Sequence, residues 1–197
     1  MSGPRVRLSP GVRREQLLDL GVRLLATRSV DELSIDLLAE EAGISRGLLY
    51  HYFGNKHAFH EAVVRRAADD LIEQTTPPHD GPLAERLLAS LSAYVDYVEA
   101  NHEGYLSLVK AAAGGNDTLR EIYEEARSAL NSRVFREDQG ELIHDTPAMR
   151  LVVRGWSAMV EELVLAWIDD PRGLTREQLI EVMGASLPAI IEVTPAE

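Results

Sequence analysis

Ser34-Ile-Asp-Leu-Leu-Ala-Glu-Glu-Ala-Gly-Ile-Ser-Arg-Gly-Leu-Leu-Tyr-His-Tyr-Phe-Gly-Asn-Lys56 is the stretch whose reading decides the fold. Ser34 is a good helix N-cap, and Asp36 in the first turn suits the positive end of a helix dipole. Ile35, Leu38, Ala39 and Ala42 recur at spacings of three and four, so a short helix over 35–42 has one apolar face. Gly43 supplies the left-handed backbone that commonly follows a helix end. Ile44 plugs the angle to the next element, and Ser45 caps a second helix over 46–53. Leu49 and Phe53, four apart, hold that helix to a core. Its other edge is polar: Arg46, Gly47, Tyr50, His51 and Tyr52. Two short helices joined by a tight turn, the second with a polar edge, form a unit that can enter a DNA major groove.

The run Ala39-x-x-Ala42-Gly43-Ile44-Ser45-x-Gly47-x-Leu49-Tyr50-x-Tyr52-Phe53-x-x-Lys56 resembles the DNA-binding signature of the tetracycline-repressor (TetR) family of bacterial regulators. The close match covers roughly Arg13 to Val64; beyond it, only the helical layout is similar. The resemblance implies an all-α chain with an N-terminal three-helix helix-turn-helix domain and a larger C-terminal helical domain for ligand binding and dimerisation. It also implies a homodimer on a palindromic double-stranded DNA operator, most often as a repressor. A small-molecule effector would release it. Two positions depart from the family pattern. Leu48 stands where Thr or Ser is common, which removes a hydroxyl contact to the DNA backbone and offers a thymine methyl contact instead. Ser29 stands where Gly usually follows the first helix.

Working outward, the 197-residue chain is 45% hydrophobic, enough for a real core. No apolar run approaches the length of a membrane span, and the Arg-bearing start has no apolar stretch after it, so neither anchor nor signal peptide is expected. The absence of cysteine suits the cytoplasm, where the nucleoid lies. The net charge of −12 divides unevenly. Residues 1–57 carry eight Lys/Arg and seven Asp/Glu, whereas 58–197 carry twelve and twenty-five. The acidic excess therefore lies outside the DNA-binding stretch and discourages approach of DNA to the wrong face. A margin of one positive charge is weak for a DNA binder, which favours two copies acting together.

The expected organisation is a flexible arm over 1–10, a DNA-binding domain over 11–57, and a ligand-binding and dimerisation domain over 58–197. A first helix is expected over about Val12–Thr27, and a long connecting helix from Lys56 through 58–74. The Pro- and Gly-rich run 75–82 reads as a linker. Further helices are expected over 83–101, 102–113, 117–136 and 146–168, with a final one opened by the Thr175–Gln178 capping box. About nine helices result, and Pro188 is expected to kink the last. Strand-like alternation, fixed repeats and low-complexity tracts are absent from the sequence.

Arg46, Gly47, Tyr50 and His51 are the candidate base-reading residues. Arg46 sits where base contacts concentrate and can grip guanine O6 and N7; a phosphate contact or a solvated charge is the other reading. Tyr50 reads equally as contact or core. Ser34, Ser45, Tyr52 and Lys56 are the candidate phosphate contacts, the serines at helix starts whose amides favour anions. Arg5 and Arg7 reach either an adjacent minor groove or nearby phosphates.

In the C-terminal part, Tyr94, Tyr97, Tyr105, Tyr123, Trp156 and Met159 are expected to face inward and suit a pocket for an amphipathic effector, or an ordinary core. The last two helices are apolar over more than half their circumference. Leu151, Gly155, Met159, Leu163, Leu179, Met183, Leu187 and Ile190 are the expected dimer interface, with a monomeric core as the alternative. An enzyme is not indicated: no cysteine nucleophile, Gly-x-Ser-x-Gly elbow or Gly-rich phosphate loop is present, and no cofactor is implied. The adjacent pairs Glu124-Glu125, Glu161-Glu162 and Asp169-Asp170 read as solvated faces. His57, His60 and Glu61 share a helix side and offer a metal-responsive alternative, although a fourth ligand is not evident. A helical interaction module without DNA binding is the other rival.

Overall fold

A computed structural model describes residues 9–138 and 143–194. Among them the chain forms helices α1 (Pro10–Leu25), α2 (Ile35–Ala42), α3 (Arg46–Phe53), α4 (Lys56–Gln74), α5 (Leu83–Ala100), α6 (His102–Ala113), α7 (Asp117–Asp138), α8 (Pro147–Asp169) and α9 (Arg176–Val193), with no strand. The all-α expectation holds, and most boundaries fall within two residues of those read from the sequence. The reason is local: short side chains cap these helices. Ser9, Ser34, Ser45, Thr146 and Thr175 each accept a bond from a first-turn amide, and Thr175 and Gln178 complete the capping box. With Ser9 as cap, Pro10 opens α1 instead of closing an arm. Arg5 and Arg7 lie outside the described residues. Helix α9 continues through Pro188.

The described chain divides into two compact units. The first holds α1, α2, α3, the part of α4 up to Ala68, and Asn101–Ile122; the second holds Asp69–Ala100 and the chain from Tyr123 onward. The division of the compact units falls inside α4, and α6 belongs to the unit that carries α1 to α3.

In the first unit, Leu17, Leu33, Leu38, Leu49, Phe59 and Val63 are almost wholly buried. Gly21 lets α1 lie close to α4, since a Cβ there would come within 2.6 Å of a Val63 methyl. The Phe53 and Phe59 rings meet edge to face, 5.2 Å apart, and fix the α3–α4 corner. Arg66 on α4 bridges Glu15 and Asp19 on α1, both at 2.8 Å. Helix α6 sits against the end of α1: a Cβ on Gly104 would run into the Leu25 carbonyl, and Ser107 Oγ accepts from the Val30 amide at 3.0 Å.

In the second unit, α5, α8 and α9 pack together. Gly184 admits Leu88 of α5 so closely that a Cβ would lie 2.5 Å from its methyl. The Trp156 indole N–H donates to Ser186 Oγ at 3.0 Å and the Met183 carbonyl at 3.3 Å, joining α8 to α9. Arg176 at the head of α9 reaches Ser92 and Asp96 on α5. The buried Arg133 of α7 donates to the Ile72 carbonyl at 2.5 Å and to Thr75 Oγ1 at 3.1 Å, placing a cation at the negative end of α4.

One part of the expected dimer surface is corrected here. Leu179, Met183 and Leu187 are buried within the subunit. Helix α9 is apolar on two sides, and these three lie on the inner one. The outer side carries Val182, Ala185, Ala189 and Val193, again at helical spacing and all exposed. On α8, Leu151 is 72% exposed and Gly155 is open, whereas Met159, Leu163 and, on α9, Ile190 are half-buried.

Gly104→Ala is expected to lower stability by about 1–3 kcal/mol, since the new methyl meets backbone that cannot turn aside. Urea unfolding measures this; an unchanged midpoint would contradict the close α1–α6 contact.

Candidate nucleic-acid interface

The turn between α2 and α3 is built from its glycine. Gly43 adopts φ 63°, ψ 37°, a left-handed conformation that most residues avoid. Its amide donates to the Glu40 carbonyl at 3.1 Å, and the Ile44 amide donates to the Ala39 carbonyl at 3.0 Å. These two bonds satisfy carbonyls that the helix end leaves open. Ser45 then caps α3, its Oγ accepting from the Leu48 amide at 3.3 Å. Leu49 and Phe53 are buried on the inner side of α3. Arg46, Gly47, Tyr50 and His51 consequently lie outside, all exposed. Tyr50 is 46% exposed, which decides against core packing for this ring. Leu48 is also exposed, beside the candidate base readers.

The candidate phosphate contacts are distributed around the same edge. Ser45 and Lys56 are exposed, at the starts of α3 and α4. Ser34 and Tyr52 are half-buried, and the Tyr52 ring meets His51 at 5.6 Å. Ser34 Oγ accepts from the Leu37 amide at 3.0 Å. A capping hydroxyl and its helix-start amides are compatible with a phosphate oxygen. Arg14 stacks over the Phe53 ring at 5.3 Å, so α1 supports the back of α3. Ser29, at the family's usual glycine position, closes its own turn: its amide and hydroxyl both donate to the Glu32 carboxylate at 2.9 Å. These bonds hold the Glu32 carboxyl below the usual range, the Ser29 amide contributing most.

One contact was not legible in the sequence. Asp36 of α2 forms an ion pair with Nε of Arg46 at the start of α3. Asp36 reads locally as a helix-start charge, and the nine intervening residues give no sign that the two side chains meet.

The metal-responsive alternative is not supported. Among the described residues, no three His, Cys, Asp or Glu side chains come together to hold a metal. His60 Nε2–H instead donates to the Leu33 carbonyl at 2.5 Å, tying α4 to the turn ahead of α2, and Glu61 accepts from Arg65 at 3.2 Å.

The six candidate effector residues fall in both compact units. Tyr105 belongs to the first unit; the other five belong to the second. Tyr97 and Trp156 are buried, and Tyr94, Tyr105, Tyr123 and Met159 are half-buried. Tyr123 donates to Glu161 at 2.7 Å, so Glu161 is bound to α7 and not simply solvated. Burial, then the bond to Glu161, pushes the Tyr123 phenol well above its usual range; burial does the same for Tyr97. A cleft of about 370 Å³ in the second unit is lined by other residues, among them Phe135, Arg136, Ile143 and Arg150.

Residues 17–63 match the family described as bacterial regulatory proteins, tetR family, and residues 83–188 match the tetracyclin repressor-like C-terminal domain. The chain belongs to the TetR family, as a transcriptional regulator with a helix-turn-helix DNA-binding domain. A tetR-family transcriptional regulator from Streptomyces coelicolor is 33% identical and superposes with a TM-score of 0.84, over 95% of this chain and 83% of that one. The HTH-type transcriptional activator FasR of Mycolicibacterium smegmatis is 24% identical over 184 residues, 89% of this chain and 81% of its own. The HTH-type transcriptional regulator BetI of Brucella canis is 27% identical over 169 residues, 82% of each chain. Among the described residues, no helix is long and apolar enough to cross a membrane.

His60 gives a pH test of the frame beneath α2. Burial pushes its pKa below the ordinary 6.5, against a smaller upward pull from the Leu33 bond. The folded state therefore holds it neutral, while the unfolded chain takes up the proton first as pH falls. The contribution to stability is complete above about pH 6.5 and is lost as pH drops toward the lower folded pKa. Unfolding midpoints measured across this window should fall more steeply for the wild type than for His60→Gln; parallel curves would contradict it.

Proposed function

We propose that this protein is a ligand-responsive transcriptional regulator, most simply a repressor, that binds a palindromic operator as a homodimer. The observation that carries this reading is the exposed edge of α3, where Arg46, Gly47, Tyr50 and His51 stand clear of the core while Leu49 and Phe53 anchor the opposite side. Arg46 and His51 address base edges, Gly47 allows close approach of the helix backbone, and Tyr50 contributes ring and hydroxyl contacts. Ser34, Ser45, Tyr52 and Lys56 fix the register on phosphates. The protein acts in the cytoplasm, on double-stranded DNA, and by regulation instead of catalysis.

The exposed apolar residues of α8 and of the outer side of α9 support a dimer paired there. Leu151, Gly155, Val182, Ala185, Ala189 and Val193 form an apolar, small-residue surface that a single subunit leaves in water. Two recognition helices then address half-sites about one duplex turn, roughly 34–36 Å, apart. An effector that binds more tightly to a dimer with those helices spread further lowers operator affinity by that difference in affinity. The half-buried aromatic residues of α5, α7 and α8 suit an amphipathic molecule.

Binding to duplexes from the gene's own promoter, followed against salt, tests the DNA reading. Lys56→Ala should weaken all sequences alike and lower the salt slope by about one, whereas Arg46→Ala should cost about 1–3 kcal/mol at one base pair per half-site. Equal losses on promoter and random DNA for Arg46→Ala would overturn its base-reading role. Unperturbed mobility of every duplex would favour an interaction module. Val182→Glu should yield monomers by light scattering and lose operator binding; a stable dimer would overturn the α9 interface.

A further inference from the structure

We infer that Asp36 is a positioning residue for DNA specificity: by pairing with Nε of Arg46 it aims the end of that guanidinium at a guanine. The inference rests on the reading that α3 enters the major groove. Asp36 lies in the first turn of α2 and Arg46 is the first residue of α3, so the pair spans the two helices of the motif. Both helices are anchored from below. Gly43 fixes the turn between them, and Ile35, Leu38, Leu49 and Phe53 are buried beneath them. The separation between the Asp36 and Arg46 backbones is therefore set by the core and not by the ion pair.

The pair is open to solvent, with side chains 58% and 68% exposed. At such exposure it adds at most about 1 kcal/mol to folding, so stability is a poor explanation for it. A carboxylate at an edge that meets DNA also repels phosphates, a direct cost to affinity. The geometry supplies a compensating use. An arginine offers two forks of N–H donors, one formed by Nε with its neighbouring Nη and one formed by the two Nη groups. A carboxylate on Nε leaves the second fork, at the tip, for the O6 and N7 acceptors of guanine. A free arginine carries about 2 kcal/mol of rotamer entropy, and holding it in advance reduces what binding must spend. The expected balance is a gain in discrimination against a loss in general DNA affinity.

The test uses the full-length protein and a duplex it binds, with each base pair of one half-site replaced in turn. Affinity is measured for wild type, Asp36→Ala, Asp36→Asn, Arg46→Ala and the Asp36→Ala/Arg46→Ala double variant. Asp36→Ala should lose about fivefold or more of the preference at the one position that Arg46→Ala also relaxes, the scale of a good bidentate contact. Random DNA should bind as tightly as before, or more tightly, because a negative charge has gone. Asp36→Asn, which keeps the shape and a neutral acceptor for Nε, should fall between. In the Arg46→Ala background, replacing Asp36 should change no base preference, because the group it aims is absent.

Three results overturn the inference. Uniform tightening on all duplexes with unchanged preference makes Asp36 a repulsive charge alone. Relaxed preference at a position that Arg46→Ala leaves intact, or in its absence, makes Asp36 a direct reader, as an acceptor from a cytosine amino group. A melting temperature lowered alike in Asp36→Ala and Asp36→Asn, with affinity for every duplex lowered in proportion, makes it a structural residue of α2. Failure of the underlying reading is distinct: the wild type itself would then discriminate no base pair.

Discussion

The left-handed turn at Gly43 is the constraint on which the site depends. Two hydrogen bonds, from Gly43 to Glu40 and from Ile44 to Ala39, close α2 and set the direction in which α3 leaves. Once that direction is set, Leu38 and Leu49 are both fully buried, and the polar edge of α3 has only one way to face. A side chain at position 43 would have to adopt the same positive φ at an energetic cost, and relaxing it would rotate every candidate base contact together.

The rest of the first unit keeps that turn from drifting. Helix α4 contributes Phe59 against Phe53, Val63 against Gly21 and Arg66 to the acids of α1. His60 adds a bond to the chain just before α2, and α6 closes on the end of α1 through Gly104 and Ser107. A nearly neutral DNA-binding stretch has little general attraction to offer. On the proposed reading, specificity then rests on placing a few donors well, and a packed scaffold beneath α3 suits that task.

What the sequence made legible was local. The caps Ser34, Ser45, Thr146 and Thr175, the helix-opening Pro147 and the closing Gly43 act within four residues, so their signals survive without knowledge of the fold. The exposure of Arg46, Gly47 and His51 followed from the same helical spacing. What stayed hidden depends on neighbours distant in sequence. Tyr50 was ambiguous because an aromatic ring suits either side of a helix. Leu179, Met183 and Leu187 were assigned to a partner subunit because α9 is apolar on two sides, and only the packing of α5 and α8 determines which turns inward. The Asp36–Arg46 pair, the Tyr123–Glu161 bond and the buried Arg133 at the end of α4 arise from such meetings too, and none has a signature in spacing.

The central claim is that two copies of one rigid α2–α3 unit present Arg46 to successive major grooves. Selection of bound duplexes from a random pool by the purified protein tests it most directly. The account predicts enrichment of an inverted repeat, with half-site centres about one duplex turn apart and a guanine at the same place in each half. Enrichment of a single unpaired site, or a pool that stays random after repeated rounds, would contradict it.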